Sequence, residues 1–254
     1  MNRFGLSFHL GGKALVVIGG GHGVGPQVVL GAAQRGAEVV YCEHGRDQGN
    51  AAALVAAAGA AGRVHAIPAD LSCEDGVDRF FDAALEALGG FHAFIHNLEG
   101  GESSAAKPLL DTTLDDWNAV MASHLRQPFL TARRAVGDLL AGGVGGRIVL
   151  IVPTPSGEAA GPTSYASAHS ALYALMRSLA KEYGARGIAC NGVALPARLG
   201  SDAPALQEPT EPGPSLSTEH VARAAGEVAL FLVSDAAAFV NGEMVHLRRP
   251  TCRL

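Results

Sequence analysis

The chain has 254 residues, 48 % of them hydrophobic and 17 % charged, with a formal net charge of −5. That composition excludes a disordered chain, and 33 glycines without a Gly-X-Y period exclude collagen. Dispersed negative charge argues against nucleic-acid and anionic-membrane partners, and no apolar run reaches the length of a membrane span.

Apolar, β-rich runs alternate with longer amphipathic stretches along the whole chain. Ala14–Ile18 reads as a buried strand and Val24–Arg35 as a helix. Glu38–Cys42 is a second strand, followed by a helix over Gln48–Ala58. Val64–Pro68 is a short third strand, followed by a helix over Glu74–Leu88. Ala93–His96 is a fourth strand, and Thr113–Leu140 one long helix. Arg147–Val152 is a fifth strand, Ser164–Tyr183 a helix and Ile188–Leu195 a sixth strand. Thr218–Val233 is a helix and Glu243–Leu247 a seventh strand. Continuous apolar strands alternating with helices predict an α/β fold, a doubly wound parallel sheet covered on both faces. No interdomain linker interrupts the pattern, so a single domain over 1–254 is expected. The proline-, serine- and acid-rich segment Ala197–Ser217 reads as a mobile, lid-like loop. Cys42, Cys73, Cys190 and Cys252 lack C-x-x-C spacing, and Met1–Leu10 lacks a signal-peptide pattern. A reduced, cytoplasmic protein is expected.

The first strand runs straight into Gly19-Gly20-Gly21-His22-Gly23-Val24-Gly25, and a helix comes next. Glycines permit a tight turn and close backbone approach to a pyrophosphate, which the positive end of a helix then stabilises. The strand before, the helix after and Glu43 at the end of the second strand give the loop the context of a dinucleotide site. Glu43 suits a ribose hydroxyl pair and repels a 2′-phosphate, favouring NAD; Arg46 nearby argues for NADP. His22 reads as a solvent-facing position of this loop.

Further motifs carry a resemblance to the short-chain dehydrogenase/reductase family. Ile18-Gly19 with Gly23 and Gly25 resembles its glycine motif. Asp70-Leu71-Ser72 is similar to the segment that touches the adenine. Phe94 to Gly100, with Asn97 inside it, stands where the family has an N-N-A-G motif. Tyr165–Ala194 resembles the helix bearing the family's acid/base tyrosine and the strand after it. The resemblance implies a seven-stranded Rossmann-type sheet and a nicotinamide cofactor. It implies cofactor contacts at Gly19, Gly23, Gly25, Glu43, Asp70 and Asn97. It also implies pairing through the helices around Thr113–Leu140 and Ser164–Tyr183.

The family's chemistry uses asparagine, serine, tyrosine and lysine. Here only Tyr165 matches. His169 stands in the lysine place, His124 in the asparagine place, and Val152 or Pro153 in the serine place, with Thr154 and Ser156 out of register. Glu99 replaces the motif glycine, and Leu247-Arg248-Arg249 replaces a small-residue strand end. A tyrosine of pKa about 10 is ionised about one part in a thousand at pH 7, and a nearby fixed ammonium normally corrects this. Histidine, with an ordinary pKa of about 6.5, is mostly neutral there. Losing an oxyanion donor costs about 100- to 1,000-fold in rate. His96, His124 and His169 could also converge as metal ligands, a reading weighed below tolerated polar replacement.

These residues support three readings. The first is a catalytically deficient subunit that pairs, as a dimer or tetramer, with an active paralogue acting on an alcohol, ketone or acyl-CoA substrate. Family members combining one intact and one eroded subunit supply the analogy. The second is an active oxidoreductase using Tyr165 with His169 or His124 as relay. The third is a nucleotide-binding sensor without turnover.

Overall fold

The computed structural model describes residues 8–43, 50–58, 63–98, 107–143, 145–153, 162–196 and 218–247. The expectations for Arg46, Glu99, Thr154, Ser156, Ala197–Ser217, Arg248, Arg249 and Cys252 fall outside them.

Seven strands form one parallel sheet: β1 (Ala14–Ile18), β2 (Glu38–Glu43), β3 (Val64–Pro68), β4 (Ala93–Asn97), β5 (Gly146–Pro153), β6 (Ile188–Leu195) and β7 (Met244–His246). Their order is β3-β2-β1-β4-β5-β6-β7, and each neighbouring pair runs parallel. The helices are α1 (Gly25–Gln34), α2 (Asn50–Ala58), α3 (Glu74–Leu88), α4 (Leu114–Met121), α5 (Gln127–Gly142), α6 (Thr163–Tyr183) and α7 (Thr218–Val233). This is the Rossmann-type doubly wound arrangement that the alternating pattern predicts.

Strand alternation sorts the core into two clusters, because successive side chains leave opposite faces of a strand. Leu15, Val17, Val39, Tyr41, Ile95, Val149 and Val193 pack with buried residues of α1, α2 and α7. Val16, Ile18, Val40, Phe94, Ile148, Leu150 and Val152 pack with those of α3, α5 and α6. Both sheet faces are therefore buried, which explains the near-continuous apolar strands.

The predicted element boundaries hold to within a few residues, with one informative exception. The single helix expected over Thr113–Leu140 contains a π-helical turn at Ala122–Arg126, between α4 and α5. A π turn admits one extra residue and rotates the helix beyond it, and such turns favour functional positions. Apolar periodicity does not register a widening confined to one turn. The entry to α4 is fixed by a capping box: Asp116 N donates to Thr113 Oγ1, and Thr113 N donates back to the Asp116 carboxylate.

α3 and α5 are joined by Arg134. Its guanidinium donates to Asp78 (3.0 Å), Asp82 (2.6 Å) and Asp138 (3.0 Å). Asp138 is the most sheltered of the three carboxylates, and burial raises its pKa against the pull of Arg134. Bonds to Asp78 and Asp82, which face solvent, contribute little. Arg134→Ala should therefore destabilise the chain by about 1–2 kcal/mol, chiefly through Asp138. A lowered urea midpoint with unchanged slope is the expected result.

Candidate functional site

The strand order reverses between β1 and β4. Ligands of open α/β sheets bind in the crevice beyond the carboxyl ends of such strands. The glycine loop leaves β1 there, beside Asn97 at the end of β4. Gly19 has φ +73°, and a Cβ at that position would strike the Asn97 carbonyl. A Cβ on Gly25 would strike the Gly19 carbonyl, and one on Gly20 would meet the Tyr41 side chain, its Cβ at 2.7 Å and its ring at 2.8 Å. Gly23 also has positive φ, +55°. Asn97 Nδ2 lies 3.1 Å from the Gly19 carbonyl and 3.2 Å from that of His22, and donates to both. The loop is thus clamped from below by the strand beside β1 in the sheet.

His22 is half-buried, so the expectation that it faces solvent is corrected. The Asn97 bond to its carbonyl draws the residue inward, and its ring acts electrostatically on His96. α1 begins one residue later than expected, because Val24 occupies the cap position and contributes no side-chain bond. The positive end of the helix dipole therefore faces the loop. Glu43 ends β2, half-buried. Asp70 is exposed and its carboxylate accepts the Ser72 backbone N–H at 2.9 Å. A Cβ on Gly76 would collide with the Asp70 carbonyl, so the start of α3 holds this turn. A cradle that Cβ atoms would fill, an uncapped helix start and two carboxylates at neighbouring strand ends fit a nicotinamide dinucleotide. Gly19, Gly23 and Gly25 would take its pyrophosphate, Glu43 a ribose and Asp70 the adenine side.

The structure brings Tyr165, His124 and His169 together. His124 and Tyr165 rings lie 4.6 Å apart between centroids, His124 and His169 5.3 Å, and Tyr165 and His169 5.7 Å. His169 Nε2 and His124 Nδ1 are 3.4 Å apart, at the outer edge of a hydrogen bond. Tyr165 and His169 share a face of α6 because they are four residues apart. The π turn carries His124 to meet them. Two buried polar atoms here have no hydrogen-bond partner among the described residues, His124 Nε2 and Ser164 Oγ.

His96 belongs to an adjoining layer. It is 2 % exposed on β4, with Nδ1 2.9 Å from Thr131 Oγ1. Thr131 lies seven residues after His124, about two helical turns on. That spacing could have been read from the sequence, but the pairing with His96 could not. Among the described residues, no group of three or more His, Cys, Asp or Glu side chains is arranged to hold a metal ion. Val152 is fully buried in the core and Pro153 half-buried, so neither offers a donor in the serine place.

A cavity of about 1010 Å³ opens at the other end of the sheet, lined by Lys13, Glu38, Arg63, Phe91, His92 and Asp138 among others. It is remote from Tyr165, at the amino ends of the strands. No helix among the described residues is long and apolar enough to cross a membrane.

The profile of the family described as enoyl-(acyl carrier protein) reductase matches residues 19–248. The hydroxynaphthalene reductase of Aspergillus fumigatus is 31 % identical, over 96 % of this chain and 93 % of that one. The hydroxyacyl-CoA dehydrogenase ChsB1 of Mycobacterium tuberculosis is also 31 % identical, over 96 % of this chain and 80 % of that one. A solved dehydrogenase/reductase of Sinorhizobium meliloti superposes with a TM-score of 0.79 at 27 % identity, covering 95 % of each chain. The chain belongs to the short-chain dehydrogenase/reductase family, an oxidoreductase family.

Burial sets the charge state of the site. It lowers the pKa of His124 from 6.5 to about 4. Burial first, then the neighbouring His124, lowers His169 to about 4. His96 falls to about 3 through burial, with His124 and His22 adding to the effect. All three are neutral at pH 7. In the unfolded chain each takes a proton near pH 6.5, while the folded chain resists it down to about pH 4 or below. Stability is therefore complete above pH 6.5 and declines as pH falls through 6.5 towards 4. The slope should be about 1.4 kcal/mol per pH unit for each imidazole protonated only in the unfolded state. Urea midpoints at pH 7, 6 and 5 measure it, and His96→Gln should flatten it by about one proton.

Proposed function

We propose that this chain binds a nicotinamide dinucleotide, NAD in preference to NADP, and transfers hydride only weakly by itself at neutral pH. On this reading it is the catalytically deficient subunit of an oligomer with an active relative that acts on an alcohol, ketone or acyl-CoA. One observation carries the reading: two buried, neutral imidazoles stand beside Tyr165 in the lysine and asparagine places. Neither supplies at pH 7 the fixed positive charge that favours a tyrosinate. The bound dinucleotide supplies the hydride. The glycine cradle would hold the pyrophosphate, Glu43 would select the ribose, and Tyr165 would exchange the proton with the substrate oxygen.

Assembly is supported by exposed apolar side chains. Leu109, Leu110 and Leu114 lie at the approach to α4, and Phe129 lies on α5. Contiguous exposed apolar surface marks association sites. Free thiols at Cys42, Cys73 and Cys190 suit the reducing cytoplasm. A second reading is favoured by the contact of all three rings: an active alcohol or ketone oxidoreductase in which His169 and His124 replace the lost relay.

Calorimetric titration with NADH should give micromolar binding that Gly25→Val abolishes. His169→Lys should raise turnover at pH 7.5 by about 100-fold, the order of one recovered transition-state interaction. Light scattering of the purified chain should show association. A stable homotetramer that is fully active alone, with activity lost in Tyr165→Phe, would establish the second reading instead.

A further inference from the structure

We propose that His124 and His169 act as one proton-holding unit, and that their shared proton, in place of a fixed lysine ammonium, is the cation serving Tyr165. This rests on the reading of Tyr165 as the acid/base of a hydride-transfer site, and it makes that site dependent on pH.

The geometry limits the unit to one extra proton. With both rings neutral, a single hydrogen lies between His169 Nε2 and His124 Nδ1. In the arrangement where His124 Nδ1 donates, His124 Nε2 is a buried lone pair with no partner among the described residues. A proton added at this Nε2 gives an imidazolium without disturbing the N–H···N bond, and it strengthens that bond by charge assistance. Protonating His169 Nε2 as well would set two N–H groups facing each other across 3.4 Å and place two positive charges in a buried site. The pair therefore titrates as a unit with one readily taken proton.

The surroundings leave the unit free to respond to solvent pH. Among the described residues, the titratable side chains around it are His96 on β4, His22 of the glycine loop acting through His96, and Tyr165 and Tyr173 one turn either side of His169 on α6. Arg126, two residues beyond His124, is exposed. Among the described residues, no carboxylate or fixed cation contributes to the shifts of His124 or His169. The pair is then neutral at pH 7, and its charged fraction rises about tenfold for each pH unit of acidification until its own midpoint is reached.

In the direction of carbonyl reduction the balance is simple. The carbonyl carbon accepts a hydride from a reduced nicotinamide dinucleotide, and the C=O π pair moves to oxygen. That oxygen takes the Tyr165 hydroxyl proton, the phenolate recovers a proton from the imidazolium unit, and solvent reloads the unit. One carbonyl, one reduced dinucleotide and one proton give one alcohol and one oxidised dinucleotide.

Nuclear magnetic resonance titration of the imidazoles in the full chain tests the shared proton without turnover. His124 and His169 should shift together with one midpoint and one proton between them, and His169→Gln should move the His124 midpoint. Two independent full-proton titrations would overturn the proposal. NADH-dependent reduction of 2,3-butanedione tests the role of that proton. Between pH 7.5 and 6 the rate should rise about tenfold per unit in the wild type, stay flat in His169→Lys, and lose its slope in the double variant His124→Asn/His169→Gln while calorimetric NADH binding persists. A slope retained in the double variant, or turnover in His169→Lys with none in the wild type at any pH, would overturn the cation role. Turnover absent from both proteins at every pH would place the failure in the oxidoreductase reading itself and would overturn the role with it.

Discussion

The interlock of Gly19 with Asn97 is the contact on which the rest of the site depends. β1 and β4 are adjacent in the sheet but distant in sequence, and the strand order turns back on itself between them. Only a residue without a side chain fits against the Asn97 carbonyl with the positive φ that Gly19 adopts. Asn97 then holds the loop through the carbonyls of Gly19 and His22. From this seam the start of α1, the end of β2 and the turn at Asp70 acquire fixed positions around one crevice. The same seam brings His22 inward and His96 close to the imidazoles of the neighbouring helices.

Desolvation decides the chemistry of those imidazoles. His124 and His169 are buried beside Tyr165, so their neutral rings are favoured over charged ones. A lysine would bring three donors and a permanent charge to the same place; histidine brings a ring that gives up its charge when buried. The glycine cradle keeps the close approaches that a pyrophosphate requires, while the groups that would stabilise a tyrosinate or a developing oxyanion are neutral or apolar. Membership of an oxidoreductase family defines the scaffold, and the chemistry resides in the side chains placed on it.

The fold was legible because its signals are local. Apolar strands of three to eight residues, long amphipathic helices and a glycine loop between the first strand and helix each declare themselves within one window of sequence. Tyr165 and His169 were legible as neighbours for the same reason: four residues along a helix is one turn. Glu43, Asp70 and Asn97 could be placed at strand ends by counting along the pattern.

What only the tertiary structure decided concerns groups that meet across elements. The π turn at Ala122–Arg126 leaves no mark in apolar periodicity, yet it carries His124 towards α6. The partnership of His96 with Thr131 joins β4 to α5, and the inward position of His22 comes from a bond made by a residue 75 positions away. Burial itself is a tertiary quantity. The sequence by itself determined which residue types stand in the lysine and asparagine places. The packing of α4, α5 and α6 against the sheet decided that they are dry, neutral and joined, because the pKa of an imidazole answers to its surroundings more than to its neighbours in the chain.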